Sequence, residues 1–229
     1  QYDEAQDRLR GFIQQAKDMK DPNPGVLLRL MHSQAVLYRQ LEAASRRSSL
    51  VDPSSARMRE VRLRFLGSQG PDHPETLAAE LSLAIGDAQD GRWQQAEQSA
   101  RACLERLSVV YSPGHPFVHV CRLDLGAFLL GSGQNEAALT EIEAALGALE
   151  AALGDCHPWT IAARLTLASC LDALGRRDEC ERLCEQAHDD STETLGRSHP
   201  YTETATEALR ILRSGGSVRN TIQLDLMVL

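Results

Sequence analysis

The sequence predicts an all-α chain, a right-handed α-solenoid of antiparallel helix pairs with about ten helices. Three observations carry that expectation. Aromatic residues make up only 4% of the 229 residues, a composition that suits thin helices in close contact better than a sheet. Four His-Pro pairs, His73-Pro74, His115-Pro116, His157-Pro158 and His199-Pro200, recur at a constant interval of 42 residues. Eighteen residues after each of the first three histidines stands a glycine, Gly91, Gly133 and Gly175. A fixed period of this size marks a repeated supersecondary unit that buries its surface against its neighbours.

Taken in order, the chain opens in mid-repeat. Tyr2 and Ala5 match the register of Trp93 and Ala96, so the first helix is the second member of a pair whose partner lies outside this segment. That start reads as a cut from a longer protein. Ala35 and Tyr38 match Ala84 and Asp87 at an offset of 49 rather than 42, which requires a seven-residue insertion. The polar stretch from Ser45 to Ser55, with Pro53 inside it, is the expected loop. Within a regular unit, the His-Pro pair opens one helix, since proline's fixed φ and missing N–H suit a first helical position. It is expected over Thr76–Gln89, glycine breaks it, and a second runs over Trp93–Val109. The residues at 23, 27 and 30 past each histidine are Ala96, Ala100 and Cys103; Ala138, Ile142 and Ala145; Cys180, Cys184 and Ala187. Their spacing of four and three puts them on one buried face. A last helix of the first type, Tyr201–Arg213, closes a solenoid spanning residues 1–213.

Residues 214–229 read differently. Ser214-Gly215-Gly216-Ser217 is a flexible break. Beyond it Ile222, Leu224, Leu226 and Val228 alternate with Gln223, Asp225 and Met227 in a strand-like pattern. So apolar a tail is expected to pack against protein, in cis or by self-association.

The repeat resembles the tetratricopeptide repeat in its 42-residue form, as in kinesin light chains and many bacterial and fungal regulatory proteins. The residues that carry the resemblance are Gly70-Pro71-Asp72-His73-Pro74-Glu75-Thr76, its echoes at Leu153–Thr160 and Leu195–Thr202, and the turns Gly91–Ala96 and Gly175–Cys180. The resemblance implies a curved stack whose inner surface is lined by the first helix of each unit. Carried over, the inner positions are Ala78, Leu81, Ser82 and Ile85; Val120, Leu123, Asp124 and Ala127; Ala162, Leu165, Thr166 and Ser169; and Glu207 in the last helix. Kinesin light chains hold peptide backbone there with asparagines. Here the second amide of each pair is replaced by Ser82, Asp124, Thr166 and Ala208, and no ring of Lys or Arg stands ready for a C-terminal carboxylate. The resemblance therefore implies a scaffold that takes a peptide segment with apolar anchors, and a base facing Asp124 or Glu207, or a partner domain. A domain that senses a signalling peptide and an arm that recruits substrate to a larger enzyme are the alternatives.

Charge and motif content exclude other classes. A net charge of -8 with no long basic run disfavours nucleic acid and acidic membrane as partners. The one basic cluster, Arg57, Arg59, Arg62 and Arg64, reads as a solvated helix face. No apolar run approaches the ~20 residues that span a bilayer. The four repeated histidines sit a whole unit apart, too far to converge on one metal ion, and their expected role is hydrogen bonding at helix starts. Cys103, Cys180 and Cys184 replace small core residues, whereas Cys156 falls in a turn and should be the most exposed. Six free cysteines point to a reducing, cytoplasmic setting. No phosphate-binding, dinucleotide or metalloprotease motif occurs, so neither a catalytic site nor a cofactor is expected.

Overall fold

The computed structural model describes residues 2–19, 24–45 and 53–218. Those residues form ten α-helices and no strand: α1 Tyr2–Asp18, α2 Pro24–Ser45, α3 Pro53–Gln69, α4 Pro74–Gln89, α5 Trp93–Val110, α6 Pro116–Gly131, α7 Asn135–Leu153, α8 Pro158–Ala173, α9 Arg177–Thr194 and α10 Pro200–Arg213. They make an all-α solenoid of paired antiparallel helices, and they fall into two compact units divided between Asp90 and Gly91. The alternating tail beyond Val218 and the middle of the expected insertion lie outside the described residues.

The His-Pro repeat has a direct local cause. His73, His115, His157 and His199 are N-caps in extended conformation, each succeeded by proline at the first helical position. In each, the ring Nδ1 accepts the N–H of the residue two further on, at 3.1–3.3 Å. One orphan donor of the helix start is thereby satisfied. In three of the four turns a threonine locks the approach as well. The Thr76, Thr160 and Thr202 hydroxyls donate to the carbonyls of Gly70, Gly154 and Gly196 at 2.8–2.9 Å. The fourth turn has Val118 in place of the threonine, so the hydroxyl donor of the lock is absent. There the Tyr111 ring stacks on His115 instead, with centroids 3.9 Å apart.

Helix ends repeat as faithfully as helix starts. At the end of α8 the Arg176 N–H bonds to the Leu171 carbonyl and the Gly175 N–H to the Asp172 carbonyl, at 2.9 and 3.0 Å. This paired arrangement needs a left-handed residue at the turn, supplied by Gly175 at φ 75°. The same pair of bonds ends α6 and α10.

In unit 2, α5 to α10 pack in succession, each against the next. The small residues of α5, α7 and α9 lie where their spacing put them: Ala96, Ala100, Cys103, Ala138, Ile142, Ala145, Cys180, Cys184 and Ala187 are all buried. Arg164 of α8 is also buried, and its guanidinium gathers Asp190 of α9, Glu150 of α7 at 3.0 Å and Asp155 of the intervening turn at 3.8 Å. One buried cation thus pins three consecutive segments together.

In unit 1, Leu28 and Ala35 of α2, Met58, Val61 and Phe65 of α3, and Ala79 of α4 form the core. α2 is 22 residues long against 16 for α4, α6 and α8. Part of the inserted length therefore extends α2 as helix as far as Ser45, and Pro53, Ser54 and Ser55 open α3. Three of the four arginines of α3 have partners nearby. Arg62 donates twice to Glu80, Arg64 pairs with Glu60, and Arg57 lies over the Tyr38 ring at 4.0 Å.

The residues after α10 depart from the expectation of a flexible break. Gly216 abuts Ile211, and Arg177 of α9 donates to the carbonyls of Leu212 and Gly216. Asp172 of α8 accepts the Ser217 hydroxyl at 2.6 Å and the Val218 N–H at 2.9 Å. Val218 is fully buried. The glycines supply the turn, but Asp172 and Arg177, an ion of each sign on the preceding pair, hold the chain from Leu212 to Val218 in place.

Candidate functional site

Twelve of the thirteen inner positions inferred from the repeat are buried, in unit 1 at Ala78, Leu81, Ser82 and Ile85, and in unit 2 at Val120, Leu123, Asp124, Ala127, Ala162, Leu165, Thr166 and Ser169. Glu207 alone is half-exposed, and its carboxylate takes two hydrogen bonds from Arg210 at 2.7 Å. Burial runs along α8 from Thr160 to Leu171 without a break, and along α6 from Val118 to Leu130 apart from Arg122. A run of twelve buried residues exceeds three helical turns, so every side of α8 is covered. Among the described helices it touches α6, α7, α9 and α10.

Two kinds of polar group are present on this inner row. Thr166 is spent on its own helix, its hydroxyl donating to the Ala162 carbonyl at 2.9 Å. Ser169, only 1% exposed, has a hydroxyl with no hydrogen-bond partner among the described residues. Asp124 carries a carboxylate that is equally buried. A buried hydroxyl without a partner forfeits roughly 1–3 kcal/mol.

In unit 1 the inner row is tied down from outside. Ser82 Oγ meets the Nε2 of His32 at 3.0 Å, and the Ser82 carbonyl accepts from Arg39, both from α2. Burial, and then the charge of Arg39, lowers the His32 pKa to about 4, so the ring is neutral at physiological pH. Sequence reasoning passed over His32, Arg39 and Arg164, because the period assigns each position a generic role and these three act through partners in other helices.

The reactive residue types are arranged for packing. Cys103, Cys121, Cys170, Cys180 and Cys184 are buried, Cys156 is exposed, and none is paired. Burial raises the Cys121 thiol well above its ordinary value and pushes Cys170 up to about 11. Cys180 is raised too, first by its hydrogen bond with Cys184 and then by burial. A thiol held protonated is a weak nucleophile and a weak metal ligand. Among the described residues no three His, Cys, Asp or Glu side chains converge to hold a metal ion, and no helix is long and apolar enough to cross a membrane.

Stacked helix pairs with a capped inner row and an inert set of thiols have the architecture of a protein- or peptide-binding scaffold. Residues 160–201 match the family model for the tetratricopeptide repeat. Solved structures carry the likeness across most of the chain. The nearly identical TPR-like repeats of Podosopora anserina that are assigned to a kinesin light chain are 22% identical, with a TM-score of 0.57 over 85% of this chain and 89% of that one. BtubC (BKLC) from P. vanneervenii is 16% identical, with a TM-score of 0.60 over 87% of this chain and 76% of that one. No curated protein matches the chain.

Proposed function

We propose that the inner row of unit 2 binds an extended peptide, with apolar anchors over Leu123, Ala127, Ala162 and Leu165 and a base facing Asp124 or Glu207. The observation that carries this reading is Ser169, a buried hydroxyl with no hydrogen-bond partner among the described residues, on a largely apolar row. An extended ligand brings main-chain N–H and C=O groups that would satisfy it, and places alternate side chains against the row. The repeats of the P. anserina and P. vanneervenii proteins support a scaffold role through their shared fold. A reducing, cytoplasmic setting fits the unpaired thiols and belongs to the same proposal.

The test is selection of peptides from a displayed random library on the whole chain. Enriched sequences should alternate apolar residues and carry Lys or Arg. Binding should fall at least tenfold in Thr166→Arg, checked to be as helical as the parent, and persist in Val109→Arg on the exposed end of α5. Equal binding by both variants would move the site off the inner row.

A further inference from the structure

The residue after each His-Pro pair is Glu75, Phe117, Trp159 and Tyr201 in turn, so an aromatic side chain opens the first helix in three of the four repeats. In unit 2 two of these rings meet across the repeat, Phe117 and Trp159, with centroids 5.8 Å apart. The capping histidines lengthen the line. His157 stands 5.5 Å from Trp159, His115 stands 5.0 Å from Phe117, and Tyr111 stacks on His115. The five rings run without a gap along the edge where α5 and α7 end and α6 and α8 begin. Each of them is only half-buried. At one end the run adjoins Val109 and Val110, 87% and 40% exposed. Apolar and aromatic surface gathered in this way, rather than scattered singly, marks a contact surface.

The other end is acidic. Residues 150–160 and 188–198 contain five carboxylates, Glu150, Asp155, Asp189, Asp190 and Glu193, and one guanidinium, Arg197. Buried Arg164 reaches three of the five, Glu150, Asp155 and Asp190. Asp155, Asp189 and Glu193 are exposed. The excess is felt at Cys156, three residues before Trp159. Its thiol pKa is raised by partial desolvation first and then by Asp190, Glu193 and Asp155. Each antiparallel pair brings one N-terminus and one C-terminus to this edge, so the helix dipoles offset and the side chains set its charge.

From this juxtaposition we infer that the ring-lined edge of unit 2 docks an arginine-bearing segment of a partner protein. The guanidinium lies over Phe117 and Trp159 and pairs with Asp155 or Glu193, and apolar side chains of the same segment cover Val109 and Val110. A planar guanidinium is the cation that suits both walls, because it stacks on an aromatic face and takes a carboxylate through two parallel hydrogen bonds. Lysine brings a point charge without the flat face, and an acidic segment is repelled. The edge borders the inner row, since Phe117 is three residues before Val120 on the same helix, but its binding does not depend on that row.

The test uses the whole chain carrying Thr166→Arg, which blocks the inner row and leaves the edge intact. Peptides selected on that protein from a displayed random library should carry arginine beside Leu, Ile, Val or Phe. The most enriched peptide, resynthesised with a fluorescent label and followed by anisotropy, should bind at least tenfold more weakly once Asp155→Lys and Glu193→Lys are added together. Both positions are exposed, so the helices stay in place. Trp159→Ala, or Trp159→Leu if alanine lowers helicity, should weaken it by a similar factor, and lysine in place of the peptide's arginines should cost at least threefold. Absence of enrichment, enriched peptides without arginine, equal binding by the variants, or equal binding of the lysine peptide overturns the inference. Failure of the inner-row reading looks different: peptides selected on the parent bind the Thr166→Arg protein just as well, while the edge variants still abolish binding.

Discussion

Ile142 of α7 fills the space that a side chain at Gly126 of α6 would need. A Cβ on Gly126 would stand 2.5 Å from Ile142 Cγ1, 3.3 Å from its backbone nitrogen and 3.4 Å from the Ala138 carbonyl oxygen. The next unit makes the opposite choice at the equivalent positions, Ala168 in α8 and Cys184 in α9, both fully buried. The large Ile142 on one helix is accommodated by the missing side chain of Gly126 on the other.

Gly126→Ala should therefore destabilise the chain even though alanine is the better helix former by ~1 kcal/mol. Overpacking against backbone costs about 1–3 kcal/mol and wins. Pairing it with Ile142→Ala, which removes the crowding Cγ1, should cost less than the two single losses added together. Chemical denaturation of both single variants and the double variant checks this through their non-additivity.

Removing a cap should act locally. His157→Ala leaves the Trp159 N–H without its acceptor and should cost about 1 kcal/mol, whereas His157→Asn, a strong N-cap type, should restore most of it. Thr160→Val should cost a comparable amount by freeing the Gly154 carbonyl. Thermal melts of the three variants decide whether the repeated histidine is a structural cap.

The neutral His32 predicts an acid-labile unit 1. Its folded pKa of about 4 lies below the ordinary 6.5, so between those values the unfolded chain binds the proton and the folded chain does not. Stability is then fully present above pH 6.5 and is lost as pH falls from 6.5 towards 4, by roughly 3 kcal/mol for this group. His32→Gln should flatten that part of the stability–pH curve. An unchanged slope would mean that the ring charges freely in the folded state.

Thiol labelling should be uneven. In native protein a disulfide reagent should modify Cys156 alone, and slowly at neutral pH. Partial desolvation, then the carboxylates of Asp190, Glu193 and Asp155, raises its pKa. The rate should climb as pH passes the ordinary thiol value, and the remaining five cysteines should react only with denaturant present.

Much of the fold was legible because the period reports local chemistry. A His-Pro start, a glycine end and small residues at a four-three spacing depend on neighbours in sequence, and the helix bounds agree with them to within two residues at Pro74–Gln89, Trp93–Val110 and Pro200–Arg213. The inner row was legible as a set of positions but not as a covered one, because register says which way Leu165 or Ser169 faces and nothing about the groups that meet it. Arg164 is the sharpest case. It stands where the other units have Glu80, Arg122 and Thr206, so no repeat pattern announces that three carboxylates will gather on it. The same limit hid the strap at Asp172, since Ser214–Ser217 reads as a linker until its partners in α8 and α9 are known.

α10 differs from its counterparts in carrying ions where α8 is apolar. Where α8 presents Ile161, Leu165 and Ala168, all buried, α10 has Glu203, Glu207 and Arg210, of which Glu203 and Arg210 are exposed. A second copy stacked on that helix would have to strip water from these ions without matching apolar surface in return. Head-to-tail growth into filaments, the standing hazard of a module built to stick to its own likeness, is thus opposed on α10 by three side chains.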